Sequence, residues 1–315
     1  MDYKIRPVSL DQIKTNDPTF RITTNTDTTD LALSISAIGV LQPPVVIKKQ
    51  GGYRVVCGFR RIAACSALKH DHVPARILHS DVSTLTCAQI AISDNSLQRP
   101  LNVVEQSRAY ALVQKVVDGS PAWRKIAAST GLPGSQSAVD RILPVADMPV
   151  CMQNGILEGS IALPIALHIS RLNEADAKAL CIFFRALTTS LNVQRELLEL
   201  ISEISLRDDI SIVQLMEQDQ IAAIMGNGNF SVPQKVHALR VMLKTKRYPE
   251  LSRAEALYGQ NAKSLKLDPR VQLHPPRFFE GTTYRLSLTF NSRQQLKSLQ
   301  PELEKLVQHP TLLPD

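Results

Sequence analysis

Along the first hundred residues the apolar positions switch between helical and strand spacing, and Gly and Pro mark where they switch. A short amphipathic helix runs from Asp30, a plausible N-cap, through Ser34 to Ile38, and Gly39 stops it. Pro43 and Pro44 exclude helix next. The β-branched run Val45-Val46-Ile47 then leads to Gly51-Gly52, which predicts a hairpin with Tyr53-Arg54-Val55-Val56. Gly58 follows the second strand, and the Ala-rich stretch Arg60 to Leu68 reads as a helix. Cys57-Gly58-Phe59-Arg60-Arg61 therefore lies on a strand-to-helix turn.

From Ser83 to Val117 the spacing is helical, with a polar break from Ser93 to Pro100. Asp94 falls at the end of the first helix. Asn102 caps the second and Glu105 stands three residues on, a capping-box arrangement. Beyond Ser120 helical spacing continues to about residue 225, with capping signals at Asn173 and Ser211. Within it, Trp123 to Leu143 has the layout of a helix-turn-helix: Ile126-Ala127 in a first helix, Gly131 in the turn, and Ser135 to Ile142 as a second helix with Val139 inward. Pro133-Gly134 lengthens the turn, and an ordinary helical hairpin is the alternative.

Gly226-Asn227-Gly228-Asn229 reads as a linker. A basic amphipathic helix from Pro233 to Arg247, a strand from Tyr284 to Phe290 and a last helix from Asn291 to Gln308 follow. A strand without a partner leaves its edges open, so this one either joins a sheet within this block or pairs with its twin in a homodimer, and the homodimer is favoured. Leu286, Leu288 and Phe290 share one face of it, for Leu296, Leu299, Leu303 and Leu306 to cover.

Composition narrows the classes. The chain has 315 residues, enough for two or three domains, and 44% hydrophobic content, enough for packed cores. The apolar run Ile161 to Ile169 is far shorter than a bilayer span, and Met1 to Leu10 lacks the apolar core of a signal peptide, so a cytoplasmic protein is expected. The five cysteines are widely spaced, without a Cys-x-x-Cys pair, and read as reduced thiols. His70 and His72 around Asp71 read as a polar turn, not a metal site. Charge is the more telling feature. Residues 1–145 carry 17 Lys and Arg against 11 Asp and Glu, residues 146–225 carry 5 against 11, and residues 226–315 carry 14 against 7. Two basic blocks flanking an acidic one make nucleic acid the first partner to test.

Gly58 at a helix start, followed by Arg60 and Arg61, has the makings of a phosphate site: close backbone approach, free N–H groups and two guanidinium forks. These residues also carry a resemblance. Gly39-Val40-Leu41-Gln42-Pro43, then Tyr53 to Arg61, then Asp94-Asn95-Ser96-Leu97-Gln98-Arg99 with Leu101, Asn102 and Glu105, resembles in order and spacing the N-terminal domain of ParB-like partition proteins. The likeness covers roughly residues 1–120 and extends more weakly to about 175.

The resemblance implies a CTP-binding domain of ParB/sulfiredoxin type. Gly58, Arg60 and Arg61 would hold phosphates, Gln42 and Phe59 would line the pocket with Asn95, Gln98 and Arg99, and Asp94 and Asn95 would face Mg²⁺. This chain has Phe59 where the family has an acidic residue, Ala63 where a further basic one is expected, and one extra residue between Asp94 and Arg99. These departures imply nucleotide binding with weak or lost hydrolysis. Sulfiredoxins place a reactive cysteine in the slot that Phe59 fills here, and Cys57 on its apolar strand reads as a buried small hydrophobe.

The expected fold class is α+β. It comprises a small mixed α/β ParB/sulfiredoxin-like domain over residues 1–118, an all-helical domain with the helix-turn-helix over 119–225, and a small basic α+β region over 230–315 for dimerisation and DNA contact. Partition proteins carry a helix-turn-helix in this position, so Ser135, Gln136, Ser137 and Arg141 would meet DNA at the second helix, with Arg124 and Lys125 towards the backbone. Asp140 is also exposed on that helix. The implied function is DNA binding in plasmid or chromosome partition, nucleoid-associated, with CTP-dependent switching and a ParA-type ATPase as an open partner. A nucleotide-independent transcriptional regulator and a metal-dependent nuclease are the alternatives.

Overall fold

In a computed structural model, which describes residues 4–117 and 123–308, the chain forms two compact units, 1–173 and 174–315. The boundary expected between 118 and 119 lies outside the described residues.

The first unit holds a five-stranded mixed sheet of β1 (Lys4–Ser9), β2 (Ile13–Lys14), β3 (Val45–Lys49), β4 (Gly52–Cys57) and β5 (His72–Leu78), in the order β1-β5-β3-β4-β2. The expected hairpin is present, with Ile47 opposite Arg54 and Lys48 opposite Tyr53. Strand side chains alternate, and the apolar run splits accordingly. Val46 and Val55 join Ile35, Phe59, Ile62 and Cys65 on one face, under α1 (Thr29–Ile38) and α2 (Phe59–Ala67). Val45, Ile47, Val56 and Leu78 turn to the other face.

That second face meets a larger helical core. It is built on α3 (Thr84–Ser96) and α4 (Val103–Val117), and α5 (Trp123–Ser129) and α6 (Gln136–Ile142) complete it. Tyr110 on α4 and Trp123 on α5 pack edge to face with ring centroids 6.4 Å apart. Ile126, Ala127, Val139 and Ile142 are buried in this same core, so the helix pair rests on the sheet domain and does not form a hydrophobic centre of its own. Helices α7 (Val150–Leu157) and α8 (Leu163–Ile169) end the unit.

The second unit begins with α9 (Glu174–Leu187), α10 (Leu191–Asp208), α11 (Ile212–Met216), α12 (Asp219–Gly226) and α13 (Val232–Arg247). The expected linker at 226–229 is a turn inside this unit. α13 buries Val236, Leu239 and Leu243, one helical face at three- and four-residue spacing.

After α14 (Pro249–Ser264), β6 (Val271–His274) pairs antiparallel with β7 (Arg285–Leu288), placing Leu273 opposite Leu286. Of the two pairings left open for this strand, the one within the block is present rather than the favoured pairing with its twin. The missed partner, Val271-Gln272-Leu273-His274, has period-two alternation, but only four residues of it, between Asp268-Pro269 and Pro275-Pro276. The last helix is also two, α15 (Arg293–Ser298) and α16 (Gln300–Gln308). Leu299 and Leu306 pack against Val271, whereas Leu286, Phe290 and Leu296 stay exposed.

Candidate nucleotide pocket and helix-turn-helix

Gly58 ends β4 and caps α2 in the left-handed region, at φ 88°. A side chain there would meet Pro44, since a Cβ would lie 2.7 Å from Pro44 Cβ and 2.9 Å from its Cα. Glycine is therefore required for two separate reasons. The turn places the N-terminus of α2, where backbone N–H groups lack helical partners, at the lining of a cavity of about 370 Å³. Gln42, Gly58, Phe59, Arg60, Arg61, Asp94, Asn95, Gln98 and Arg99 all line it. Every residue assigned above to nucleotide or Mg²⁺ lies on this one wall, although they come from three separate stretches of chain.

Several polar groups in the cavity have a defined local partner. Arg60 donates from Nε and Nη2 to the Asp27 carbonyl at 2.9 and 2.6 Å. Arg61 donates from Nη1 to the Gln42 carbonyl at 2.6 Å and from Nη2 to Asp94 Oδ2 at 2.9 Å. Asn95 spends its Nδ2 on the Ala91 carbonyl at 2.8 Å, so its Oδ1 is the atom left for a ligand. Phe59 is only 9% exposed and packs into the core below, with the Arg21 guanidinium 5.5 Å from its ring centroid. Burial raises the Cys57 pKa to about 12, and the neighbouring Asp94 charge pushes the same way. A thiol held protonated there is no nucleophile.

Arg99 lines the cavity with its charge already committed. It grips Glu105 in bidentate fashion, Nη1 to Oε2 and Nη2 to Oε1, both at 2.7 Å. Glu105 also accepts from the backbone N–H groups of Thr24 and Asn102, while Glu105 N–H donates to Asn102 Oδ1. The capping box is thus formed, and it doubles as the anchor for the Thr24 segment. Sequence reading did not assign Phe20, Ile22 and Thr23 to the pocket, although all three line it. The alternation of Phe20, Ile22 and Thr24 was the available signal, too short to separate from loop.

Asp94 and Asn95 offer one carboxylate and one amide oxygen. Among the described residues no group of three or more His, Cys, Asp or Glu is placed to hold a metal ion. This donor set fits a Mg²⁺ ion that arrives on phosphates and keeps most of its waters, not a resident ion.

The end of α3 also reaches the helix-turn-helix. Ser96 Oγ donates to the Thr130 carbonyl, and Gly131, at φ 74°, turns against Ser96 and Leu97. Arg124, Lys125, Ser135, Gln136, Ser137, Asp140 and Arg141 are all exposed on α5, α6 and the turn between them. Gln136 Nε2 donates to Asp140 Oδ1 at 2.8 Å, and Arg124 stacks on Trp123.

The basic face of α13 is less open than its sequence suggests. Arg240 and Lys244 pair with Glu196, Arg247 pairs with Glu203, Lys246 donates to Gln218 and Lys235 to the Met225 carbonyl. The acidic block, read from sequence as a separate feature, supplies two of these partners. Among the described residues no helix is long and apolar enough to cross a membrane.

Comparison with known proteins agrees with this geometry over the sheet domain. Residues 2–96 match the family ParB N-terminal domain. That stretch, just under a third of the chain, is similar to a ParB N-terminal domain. A nucleoid occlusion protein of Bacillus licheniformis is 27% identical over 193 residues, 61% of this chain and 62% of that protein. The chromosome-partitioning protein ParB of Myxococcus xanthus is 30% identical over 148 residues, 46% of this chain and 48% of its own length. The matches thus span about half to three fifths of these curated relatives. Among solved structures, a C-terminally truncated ParB from Caulobacter crescentus complexed with CTP-gamma-S is 26% identical, covering 57% of this chain and 98% of that one with a TM-score of 0.27. The same protein complexed to the centromeric parS site gives 22% identity, coverage of 60% and 96%, and a TM-score of 0.33.

Proposed function

We propose that this ParB-like chain is a DNA-binding protein of chromosome partition or nucleoid occlusion, that its N-terminal pocket holds CTP with Mg²⁺, and that α5 and α6 contact DNA. The observation that carries the reading is the convergence of Gln42, Gly58, Arg60, Arg61, Asp94 and Asn95 on one cavity at a helix N-terminus. Two guanidinium groups and free backbone donors suit a polyphosphate, and the cavity volume falls within the usual range for small-ligand sites. When bound, Mg²⁺ would neutralise phosphate charge beside Asp94 and Asn95. The names of the relatives support the DNA-binding part. A nucleoid-associated homodimer, with a ParA-type ATPase as partner, belongs to the same proposal.

Hydrolysis is expected to be slow. Phe59, where the family carries an acidic residue, offers no acid or base. A panel of labelled nucleoside triphosphates, with and without duplex DNA, tests the whole reading: CTP retained above the others supports it, and no retention of any nucleotide leaves a regulator whose pocket is vestigial.

Arg60→Ala should weaken CTP binding by roughly ten- to a hundredfold, the loss of one charge-assisted fork of about 1.5–3 kcal/mol, while the melting temperature holds. Calorimetry measures it, and unchanged affinity in the folded variant would remove Arg60 from the phosphate site.

Replacing Gln136 and Arg141 together by alanine should abolish preference among DNA sequences and leave weak, salt-steep binding. Selection from random duplexes at two salt concentrations reads this directly. Full specificity in the double variant would place recognition elsewhere.

A further inference from the structure

The two pocket arginines are held differently. Arg60 is fixed by two N–H groups on one backbone carbonyl, that of Asp27. Arg61 is divided between a carbonyl, Gln42, and a carboxylate, Asp94, at 2.6 and 2.9 Å. The Arg61 and Asp94 side chains are 16% and 25% exposed, enough shelter for their attraction to matter and enough opening for a ligand to reach both. The same two residues are the ones that would receive opposite halves of a metal–polyphosphate: anion on the guanidinium, cation on the carboxylate.

Resting on the nucleotide reading above, we propose that the Arg61–Asp94 ion pair is a latch which polyphosphate and divalent cation open together by exchanging partners. Arg61 keeps its Nη1 on the Gln42 carbonyl as a pivot, and Nη2 leaves Asp94 Oδ2 for a phosphate oxygen. Asp94 is released in the same movement and turns to the cation that the phosphates carry. Polyphosphate without metal must break the pair and strand a carboxylate beside the incoming anion. Metal without polyphosphate must displace a guanidinium and gain a single carboxylate. Each ligand alone is therefore disfavoured, and each makes the other's binding easier by the same factor. No bond is made or broken covalently.

The test measures binding of CTP and, separately, of inorganic tripolyphosphate to the full chain by calorimetry, in EDTA and in Mg²⁺. In the wild type, Mg²⁺ should tighten both ligands by about tenfold or more. Asp94→Asn removes the charge that holds Arg61 but keeps the shape. It should bind tripolyphosphate in EDTA about five- to tenfold more tightly than wild type, the range expected for freeing a half-sheltered ion pair, and its response to Mg²⁺ should fall below about twofold.

An Asp94→Asn protein that binds no better in EDTA and still gains tenfold from Mg²⁺ would overturn the latch. Tripolyphosphate coupled to Mg²⁺ with no advantage for CTP would support the latch and sink the cytidine part of the reading. Wild type that binds neither ligand in either condition would sink both. Should Asp94→Asn not fold, arginine side-chain NMR on wild type decides: the Arg61 N–H resonances, assigned with Arg61→Lys, must move when tripolyphosphate is added in EDTA, and unmoved resonances at saturation reject the exchange.

Discussion

Glu105→Ala is expected to lower the unfolding free energy by about 2–3 kcal/mol, from the lost helix cap and the N–H groups left unpaired, because the Arg99 guanidinium left behind is 46% exposed and can be solvated. The Glu105 carboxylate is fully buried and receives both Arg99 guanidinium arms, the Thr24 N–H and hydroxyl, and the Asn102 N–H. Its loss strips the cap of α4 and unpins the Thr24 segment that borders the nucleotide pocket. Urea unfolding should therefore show a large drop in midpoint, and any nucleotide affinity should fall with it. Loss of less than about 1 kcal/mol would mean that the segment is held by other contacts.

The same carboxylate sets a pH dependence. Burial alone would raise its pKa, but the hydrogen bonds from Arg99, Thr24 and Asn102 outweigh burial and hold it below its ordinary value of 4.5. A group whose pKa is depressed by folding stabilises the native state above the unfolded pKa, and that contribution disappears as pH falls through the folded value. Stability should thus be flat above about pH 5 and decline below 4.5. Asp17 and Glu196 are lowered too and add to the slope, so the share due to Glu105 is the difference between wild type and Glu105→Gln across that window. Equal acid slopes in the two proteins would assign the decline to the other carboxylates.

Gly58→Ala is the second large effect expected. The methyl group must adopt φ near 88° and would press to within 2.7 and 2.9 Å of Pro44. Left-handed strain and overpacking each cost about 1–3 kcal/mol, and Pro44 is a rigid neighbour that cannot swing aside. We expect about 2–4 kcal/mol of destabilisation by these two terms together. The turn would also shift the first α2 residues, so CTP affinity should drop at least tenfold even at temperatures where the variant is folded. A Gly58→Ala protein with wild-type stability would show that the turn can flip to an ordinary helix cap.

What the sequence determined by itself was local. The β-branched run closed by Gly51-Gly52 dictated the hairpin, because no other short structure uses that alternation and that turn. Asn102 and Glu105 dictated the start of α4 for the same reason, since a capping box closes within four residues. Motif order along the chain likewise carried the pocket residues, which act through groups fixed by neighbouring backbone.

Tertiary structure decided the pairings that join distant segments. Nothing near Arg61 announces that it will divide itself between Gln42 and Asp94, because those partners are 19 and 33 residues away and meet only when the sheet and α3 close together. Residues 119–225 read as a helical domain of their own with Val139 facing inward, yet Trp123, Ile126 and Val139 pack in the core that Val45 and Ile47 also enter. The helical period specifies a buried face but not what buries it. The strand Arg285–Leu288 makes the same point from the other side: one of its edges needed a partner, and a four-residue strand supplied it within the chain.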